Sequence, residues 1–244
     1  MQPIFIDAFD LDDAWFQCLS AILEKGHVYT ISRGSYEGQK RLEFDFATIR
    51  VKKPKHQIIP IIPEGMSIPA PTDMDYIQGY LSYLLTGTKT GTEDYTYGER
   101  LVDPKVKLKQ NINGKELVSE MPLDVNQIEE VIKMYKEKGP GTNQAIMEIG
   151  MPSDIKLIDP PCLRLIDTRL RYGKLHFILY FRSWDLWGGM PSNLGGLQLV
   201  KEYMAQEIGV EDGEIIAVSK GLHLYDYAWD LAKLRTNKMQ VAIK

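Results

Sequence analysis

Hydrophobic residues recur at helical spacing in two parts of the chain. Near the N-terminus an apolar residue returns every three or four positions, which predicts a helix that begins at Asp12 or Asp13 and ends at Gly26. Its buried face would consist of Trp15, Cys18, Leu19, Ile22 and Leu23. A second amphipathic helix, over 124–141, would begin at Asp124 and stop at a Gly-Pro pair. Each helix should pack one face against a core.

Alternating apolar and polar residues predict half-buried strands in other regions. The run RLEFDFATIRV, residues 41–51, alternates as one continuous strand would. Two later runs, at 162–170 and 174–183, are joined by RYGK, a sequence suited to a hairpin turn. The other predicted elements are a helix over 75–87, a strand over 144–149, a helix that begins near Ser192 or Asn193, a strand over 213–227 and a helix over 228–235.

The order of these elements predicts the fold class. Long helices stand beside strands that often follow one another directly, which favours an α+β fold with helices packed on a mixed or antiparallel sheet. Residues 53–74 are rich in proline and residues 88–101 in polar residues, so both are expected to be irregular. Because no repeat or clear linker interrupts the pattern, we expect one domain over residues 1–244.

Composition and charge exclude several classes of partner. The formal net charge is -4, so the chain lacks the basic surface expected of a protein that binds nucleic acid or an anionic membrane. The first residues, MQPIFIDAFDLDD, lack the basic region and apolar run of a signal peptide. No run approaches the roughly 20 apolar residues of a membrane span. We therefore expect a cytoplasmic protein.

The two cysteines carry different expectations. With only two of them, a disulfide framework is not expected, and no Cys/His cluster has the spacing of a zinc site. Cys18 lies on the apolar face of the first helix and is predicted to be core packing. Cys162 follows Pro160 and Pro161, which make the approach to it stiff and extended. By itself this context fits a buried thiol or a nucleophile.

A nucleophilic thiol needs a neighbouring cation that lowers its pKa from about 8.5. The candidates are Arg164, Arg169 and Arg182, and spacing does not select among them. Arg182 and Ser183 end an apolar run, where a guanidinium and a hydroxyl can receive a phosphate.

Three further polar residues each have a structural and a functional interpretation. Asn193 would either cap a helix or read a planar amide-like edge, such as that of a pyrimidine base. His223 and Tyr225, two positions apart, would face the same side of a strand. They would form either a half-buried pair or a contact to a sugar hydroxyl.

Taken together and in order, PPC, FRSWDLWGGMPSN and HLY resemble the nucleotide-site motifs of the thymidylate synthase family. The resemblance is strong over about residues 160–230 and weaker over 33–50 and 92–101. It implies a thymidylate synthase-like fold, a symmetric homodimer and the reductive methylation of dUMP to dTMP. The implied nucleophile is Cys162, which attacks C6 of dUMP. That addition makes C5 a nucleophile toward a methylene group carried by a reduced pterin, either methylene-tetrahydrofolate or methylene-tetrahydromethanopterin.

The resemblance also implies roles for other residues. Those that match nucleotide-binding positions are Arg33, Arg182 and Ser183 for the phosphate, Asn193 for the uracil edge, and His223 and Tyr225 for the 3′-hydroxyl. Arg182 also matches a position near the nucleophile. Tyr97 matches a tyrosine near proton removal at C5. Asp185 and Gly189 match residues at the cofactor and the pyrimidine.

The chain departs from the family pattern at several positions. Thr142, Asn143 and Gln144 occupy the region where the family carries two adjacent arginines that the dimer partner donates to the phosphate. Tyr80 stands near the place of a family glutamate that orders water, and Leu163 replaces a histidine that commonly follows the cysteine. A tryptophan-rich cofactor wall is not recognisable.

Three alternatives compete with this interpretation. A deoxycytidylate hydroxymethylase would use the same cysteine chemistry, with water completing the reaction in place of hydride. A relative that binds nucleotides without catalysis would explain the missing glutamate and arginines, although it would have no need of Cys162. An unrelated structural α+β domain would require five motif elements to coincide in order and spacing.

Overall fold

The computed structural model describes residues 1–32, 36–91, 93–113 and 115–243, without the side chains of residues 109, 110, 112 and 116. Within these ranges the helices are α1 (Leu11–Lys25), α2 (Met74–Leu84), α3 (Tyr97–Val102), α4 (Gln127–Lys138), α5 (Gly189–Ile208) and α6 (Trp229–Arg235). A short 3-10 helix, Pro152–Lys156, precedes the cysteine motif. None of the helices described is long and apolar enough to cross a membrane.

The strands of the described ranges form three sheets. They are β1 (Pro3–Ala8), β2 (His27–Thr30), β3 (Lys40–Glu43), β4 (Phe46–Val51), β5 (Lys105–Ile112), β6 (Lys115–Pro122), β7 (Ile146–Glu148), β8 (Leu163–Arg171), β9 (Lys174–Phe181), β10 (Trp184–Asp185), β11 (Glu211–Ser219) and β12 (Leu222–Tyr225). The main sheet has the order β1-β4-β11-β9-β8-β7, and the small sheet the order β10-β12-β3-β2. Strands β5 and β6 pair only with each other.

The main sheet is mixed, and one of its faces forms the core. Strands β1–β4 and β11–β9 pair in parallel, whereas β4–β11, β9–β8 and β8–β7 pair antiparallel. Along β9 every second side chain is fully buried while the residues between them are half-buried. Helix α1 packs against this core through Trp15 and Cys18, both 0% exposed. The predicted α+β fold with helices on a mixed sheet is confirmed.

The predicted hairpin is also confirmed. Strands β8 and β9 pair antiparallel from Arg171 and Lys174 outward. Tyr172 and Gly173 have φ of 54° and 71°, the left-handed pair that a two-residue hairpin turn requires. The turn sets the register of the two strands, and their far ends carry Cys162 and Arg182 to the same edge of the sheet.

Several predicted boundaries are wrong. The run at 41–51 is two strands, β3 and β4, because the chain leaves the small sheet and enters the main sheet between them. The run at 213–227 likewise divides into β11 and β12. Local alternation of apolar residues does not reveal a change of sheet, because both strands are half-buried.

The starts of helices α1, α3 and α4 also differ from the predictions. Helix α1 is capped by Asp10, whose side chain accepts from the Asp13 N–H, and α4 by Asn126, while Asp124 has a positive φ of 52°. The predicted loop at 88–101 contains α3, which Thr96 caps. In each case an acceptor side chain three residues ahead of a backbone N–H decides the cap.

Candidate active site

A cavity of about 820 Å³ opens where the ends of β9 and β12 meet the segment before β8. Six of the residues proposed from the sequence line it, namely Cys162, Arg182, Ser183, Asp185, His223 and Tyr225. They come from three separate motifs of the chain and converge because β10 pairs with β12 beside the end of β9.

Cys162 is held in place by hydrogen bonds of its own backbone and of the next residue. The backbone N–H of Arg182 donates to the carbonyl of Cys162 at 2.8 Å, which ties the cysteine to the end of β9. The next residue, Leu163, donates its N–H to the Tyr97 hydroxyl at 3.1 Å. The thiol is half-buried and faces the cavity, so its backbone is anchored on both sides while its sulfur stays accessible.

Burial and the neighbouring cations have opposing effects on the pKa of Cys162. Burial raises the pKa of the Cys162 thiol, and the charge of Arg182 opposes that effect more than the charge of Arg164 does. The Asp159 carboxylate raises the same pKa. The net shift is upward, so in the absence of a ligand the thiol is mostly protonated at neutral pH.

Arg182 organises the approach to the cysteine. Its Nε donates to the carbonyls of Pro160 and Pro161, at 3.1 Å each, and its terminal nitrogen forms an ion pair with Asp159 at 3.0 Å. The carbonyls of the stiff Pro-Pro segment are therefore hydrogen-bonded to the residue that follows β9. Ser183 lines the cavity next to Arg182.

His223 and Tyr225 form the opposite wall. His223 is 3% exposed, its Nδ1 lies 2.8 Å from the Gly221 carbonyl, and its Nε2 is buried with no hydrogen-bond partner among the described residues. Burial lowers the pKa of His223 to about 4, so the ring is neutral near pH 7. Tyr225 stacks on Tyr36 with ring centroids 4.5 Å apart. An unpartnered ring nitrogen facing a cavity is a natural site for a ligand hydroxyl.

Asp185 and Gly189 shape the start of α5. The Asp185 carboxylate accepts the N–H groups of Trp187, Gly188 and Gly189 at 3.2, 3.0 and 2.9 Å. These bonds satisfy the first turn and explain why α5 begins at Gly189 rather than near Ser192. A Cβ added at Gly189 would lie 3.2 Å from the Asp185 Cβ, so a side chain there would crowd the carboxylate.

Asn193 is not a helix cap, because it lies in the second turn of α5. Its Oδ1 accepts the indole N–H of Trp184 at 2.9 Å, and its Nδ2 donates to the Tyr80 hydroxyl at 2.9 Å. Asn193 is half-buried and does not line the 820 Å³ cavity, whereas its partner Trp184 does. The amide therefore stands beside the cavity, in contact with one of its walls.

The comparisons with known proteins bear on this arrangement. The sequence model of the family described as "Thymidylate synthase" matches residues 86–243. The chain belongs to the thymidylate synthase family. A protein named "Putative thymidylate synthase" from Methanosarcina mazei is 33% identical over 93% of this chain and 92% of its own length. One of the same name from Methanosarcina barkeri is 32% identical over 93% of this chain and 92% of its own length.

A bacterial relative matches a smaller part. The thymidylate synthase of Listeria monocytogenes serotype 4a is 34% identical over 42% of this chain and 32% of its own length. The chain is thus a divergent member of the family, with its full-length likeness to the archaeal proteins. The family implies dUMP and a folate-type one-carbon co-substrate.

Two departures from the family pattern have a visible local structure. Tyr80, near the place of the family glutamate, directs its hydroxyl to Asn193. In the segment without the paired arginines, Asn143 accepts a hydrogen bond from the Arg169 guanidinium on β8. Positive charge is therefore present beside that segment, although it comes from strand β8.

Not every proposed residue takes part in the cavity. Arg33 lies outside the described residues. Tyr97 and Gly189 reach the site through the backbone of Leu163 and the carboxylate of Asp185 rather than by lining the cavity.

Sequence reasoning missed Arg41 and Lys220, which line the cavity. Arg41 lies opposite Tyr225 in the pairing of β3 with β12, and its Nε is buried with no hydrogen-bond partner among the described residues. The period-two spacing of Arg41 and Glu43 marks one face of a strand, but only the pairing with β12 brings that face to the site.

Proposed function

We propose that this protein is a thymidylate synthase, which converts dUMP to dTMP by reductive methylation through a covalent bond between Cys162 and C6 of the pyrimidine. The observation that carries the proposal is the convergence of Cys162, Arg182, Ser183, His223 and Tyr225 on one cavity. A thiol, a phosphate-binding guanidinium and a sugar-binding pair in one cavity suit a nucleotide that is attacked at its base.

Different residues of the cavity would bind the phosphate and the sugar of the nucleotide. Arg182 and Ser183 would receive the 5′-phosphate, and Arg41 and Lys220 add positive charge to the same cavity. His223 Nε2, buried without a partner among the described residues, would exchange a hydrogen bond with the 3′-hydroxyl of the deoxyribose. Arg33 remains a proposed phosphate contact.

Activation of the thiol would accompany binding. In the free protein Arg182 is paired with Asp159, and the pKa of Cys162 is raised mainly by burial. The thiolate then attacks C6, which transfers negative charge to the C5–C4–O4 part of the base. Tyr97, whose pKa burial also raises, stays protonated beside the nucleophile, so in the later proton removal at C5 it would act as a hydrogen-bond partner and not as the base.

The co-substrate would bind next to the nucleotide. A carboxylate accepts from the N–H groups that a reduced pterin carries, and Asp185 lines the cavity with such a group. Gly189 has no side chain to crowd that carboxylate, since an added Cβ would lie 3.2 Å from the Asp185 Cβ. The pterin would supply the methylene group and the hydride that completes the methyl. Either methylene-tetrahydrofolate or methylene-tetrahydromethanopterin would suit these residues.

Intact-mass spectrometry with 5-fluoro-dUMP tests the proposal. The fluorine cannot leave C5 as a proton does, so the covalent complex should accumulate in the presence of the correct pterin. We expect an adduct on wild-type protein with one of the two pterins and none on Cys162→Ser. No adduct with either pterin, on protein shown to be folded, would favour the non-catalytic relative.

The second candidate is a deoxycytidylate hydroxymethylase, which shares the nucleophile. The amide group of Asn193 favours it in one respect, because an amide has both a donor and an acceptor and can match either base edge in one of its two orientations. Replacement of Asn193 by Asp should shift the preference from dUMP toward dCMP, since a carboxylate accepts from the cytosine amino group. An unchanged ratio of the two kcat/KM values would remove Asn193 from base recognition.

We infer further that the protein forms a homodimer through the main sheet. On the face opposite the buried core, Ile178 and Tyr180 of β9 are half-buried, and at the sheet edges Phe5 is 65% and Ile146 39% exposed. A second copy would cover this apolar surface. Analytical ultracentrifugation should give about twice the monomer mass, and a monomer at all concentrations would contradict the inference.

A further inference from the structure

The side-chain amide of Asn193 has its orientation determined by an indole. Trp184 Nε1, 2.9 Å from Asn193 Oδ1, can only donate a hydrogen bond. The atom that faces it must therefore be the amide oxygen, because the amide nitrogen has no lone pair to offer. Trp184 is 2% exposed and stacks on Phe181 with ring centroids 3.8 Å apart, so the indole has little room to turn away.

A second contact supports the same orientation. Asn193 Nδ2 donates to the Tyr80 hydroxyl at 2.9 Å. The Tyr80 ring packs over Gly196, where an added Cβ would lie 2.4 Å from a ring carbon, and it stacks between Tyr76 and Tyr83. Tyr80 is therefore as firmly placed as Trp184. With both contacts made, Asn193 keeps one N–H and one oxygen lone pair for another partner.

We propose that Trp184 and Tyr80 are positioning residues that make Asn193 select uracil over cytosine. This inference rests on the proposed function, in which Asn193 reads the base edge. Uracil presents the O4 acceptor beside the N3–H donor, and cytosine presents the N4–H donor beside the N3 acceptor. An amide matches the first pattern in one orientation and the second only after it turns over.

Turning the amide over breaks the hydrogen bond from Trp184 and requires the one with Tyr80 to reverse its direction. The Nδ2 group would face the Trp184 N–H, leaving two donors opposed and a buried indole N–H without an acceptor. An unsatisfied buried donor of this kind weakens binding by about tenfold. The hydroxyl of Tyr80 can rotate to donate, so it opposes the turn less than Trp184 does. Trp184 should consequently contribute most of the discrimination.

The decisive variant is Trp184→Phe, tested by calorimetric measurement of the Kd values of dUMP and dCMP. The ring is kept and the N–H is removed, so the amide becomes free to turn. We expect dUMP binding to weaken and dCMP binding to strengthen, with the ratio of the two Kd values changing by about tenfold. Opposite changes for the two nucleotides distinguish positioning of the amide from general damage, which would weaken both.

Two further variants keep the test decisive. Tyr80→Phe removes the weaker anchor and should change the ratio in the same direction by a smaller factor, about threefold. It also serves if Trp184→Phe does not fold. Trp229→Phe is the matched control, because its indole N–H donates to the Leu224 carbonyl at 3.0 Å and not to Asn193. Its ratio should stay at the wild-type value.

The possible failures are distinguishable. If wild-type protein prefers dUMP and the ratio is unchanged in folded Trp184→Phe and Tyr80→Phe, the positioning role is overturned while the proposed function stands. If wild-type protein binds neither nucleotide, the proposed function fails and this inference fails with it.

Discussion

The two cysteines of this chain show how differently one residue type behaves in two environments. Cys18 lies on α1 with 0% exposure, surrounded by the hydrophobic core, and its thiol pKa is raised by burial and further by the charge of Asp13. Cys162 also has a raised pKa, but Arg182 and Arg164 act against the effect of burial, and its sulfur faces a cavity. A raised thiol pKa therefore does not distinguish a core residue from a candidate nucleophile. The two cysteines are distinguished by the cations next to the thiol and by the access of solvent and ligands to the sulfur.

The largest expected effect on the comparison comes from replacing the Cys162 thiol by a hydroxyl. Cys162→Ser should lower kcat/KM for dTMP formation by at least about 10³-fold, because a serine hydroxyl is a far poorer nucleophile without a dedicated base. Its melting temperature should stay close to that of wild type. Full activity in Cys162→Ser would contradict the covalent mechanism.

Arg182 should be the next most sensitive position. Arg182→Lys keeps the charge but loses the two hydrogen bonds to the carbonyls of Pro160 and Pro161, so kcat/KM should fall by about 10- to 100-fold. Arg235→Lys is the matched control, because Arg235 also joins a carbonyl, that of Ile61, to a carboxylate, that of Asp12. An equal loss of activity in both variants would mean that Arg182 acts only through stability.

Cys18→Ser should affect stability and leave the chemistry alone. A hydroxyl at this position would have to be buried among apolar side chains, which costs about 1–3 kcal/mol in the free energy of unfolding. Urea unfolding measures that loss, and activity per folded molecule should remain at the wild-type level. Loss of turnover in a fully folded Cys18→Ser protein would break the distinction between the two cysteines.

The smallest expected effect concerns the charge next to Cys162. The Asp159 carboxylate raises the pKa of Cys162, so Asp159→Asn should lower it and increase the thiolate fraction at pH 7.5. The carboxylate is largely solvent-exposed, so alkylation of Cys162 by iodoacetamide should accelerate only about two- to threefold. In both proteins the rate should rise with pH until the thiol is ionised.

Peptide mass spectrometry provides an internal control for that experiment. Cys18 should stay unlabelled as long as the protein is folded, because reagent cannot reach it. Slower alkylation in Asp159→Asn would mean that the aspartate acts on Cys162 by ordering the Pro-Pro segment instead of by its charge.

Much of the fold was predictable because local periodicity reflects burial. The apolar faces of α1 and α4 and the hairpin between β8 and β9 follow from spacing and from the residues of the turn. The places where prediction failed have a common cause. A change of sheet between β3 and β4, or the start of α5 under the Asp185 carboxylate, depends on partners distant in sequence or on a specific cap.

The candidate site also contains residues that the sequence predicted and residues that it did not. The order and spacing of the residues around Cys162, Arg182 and His223 were sufficient to name a family, because those residue types must recur wherever the same ligand is held. Arg41 was missed, since its approach to the site depends on the pairing of β3 with β12. No local signal in the sequence reports such a pairing.

The sequence alone determined which side chains with the required chemistry this protein has and roughly which helices and strands carry them. It also determined the family, since its motifs keep their order along the chain. Only the tertiary structure decided that Arg182 is paired with Asp159, that the pKa of Cys162 is raised and that Trp184 and Tyr80 hold the Asn193 amide. The physical reason is that burial, charge pairing and hydrogen-bond direction depend on distances in space between residues that are often far apart in the chain.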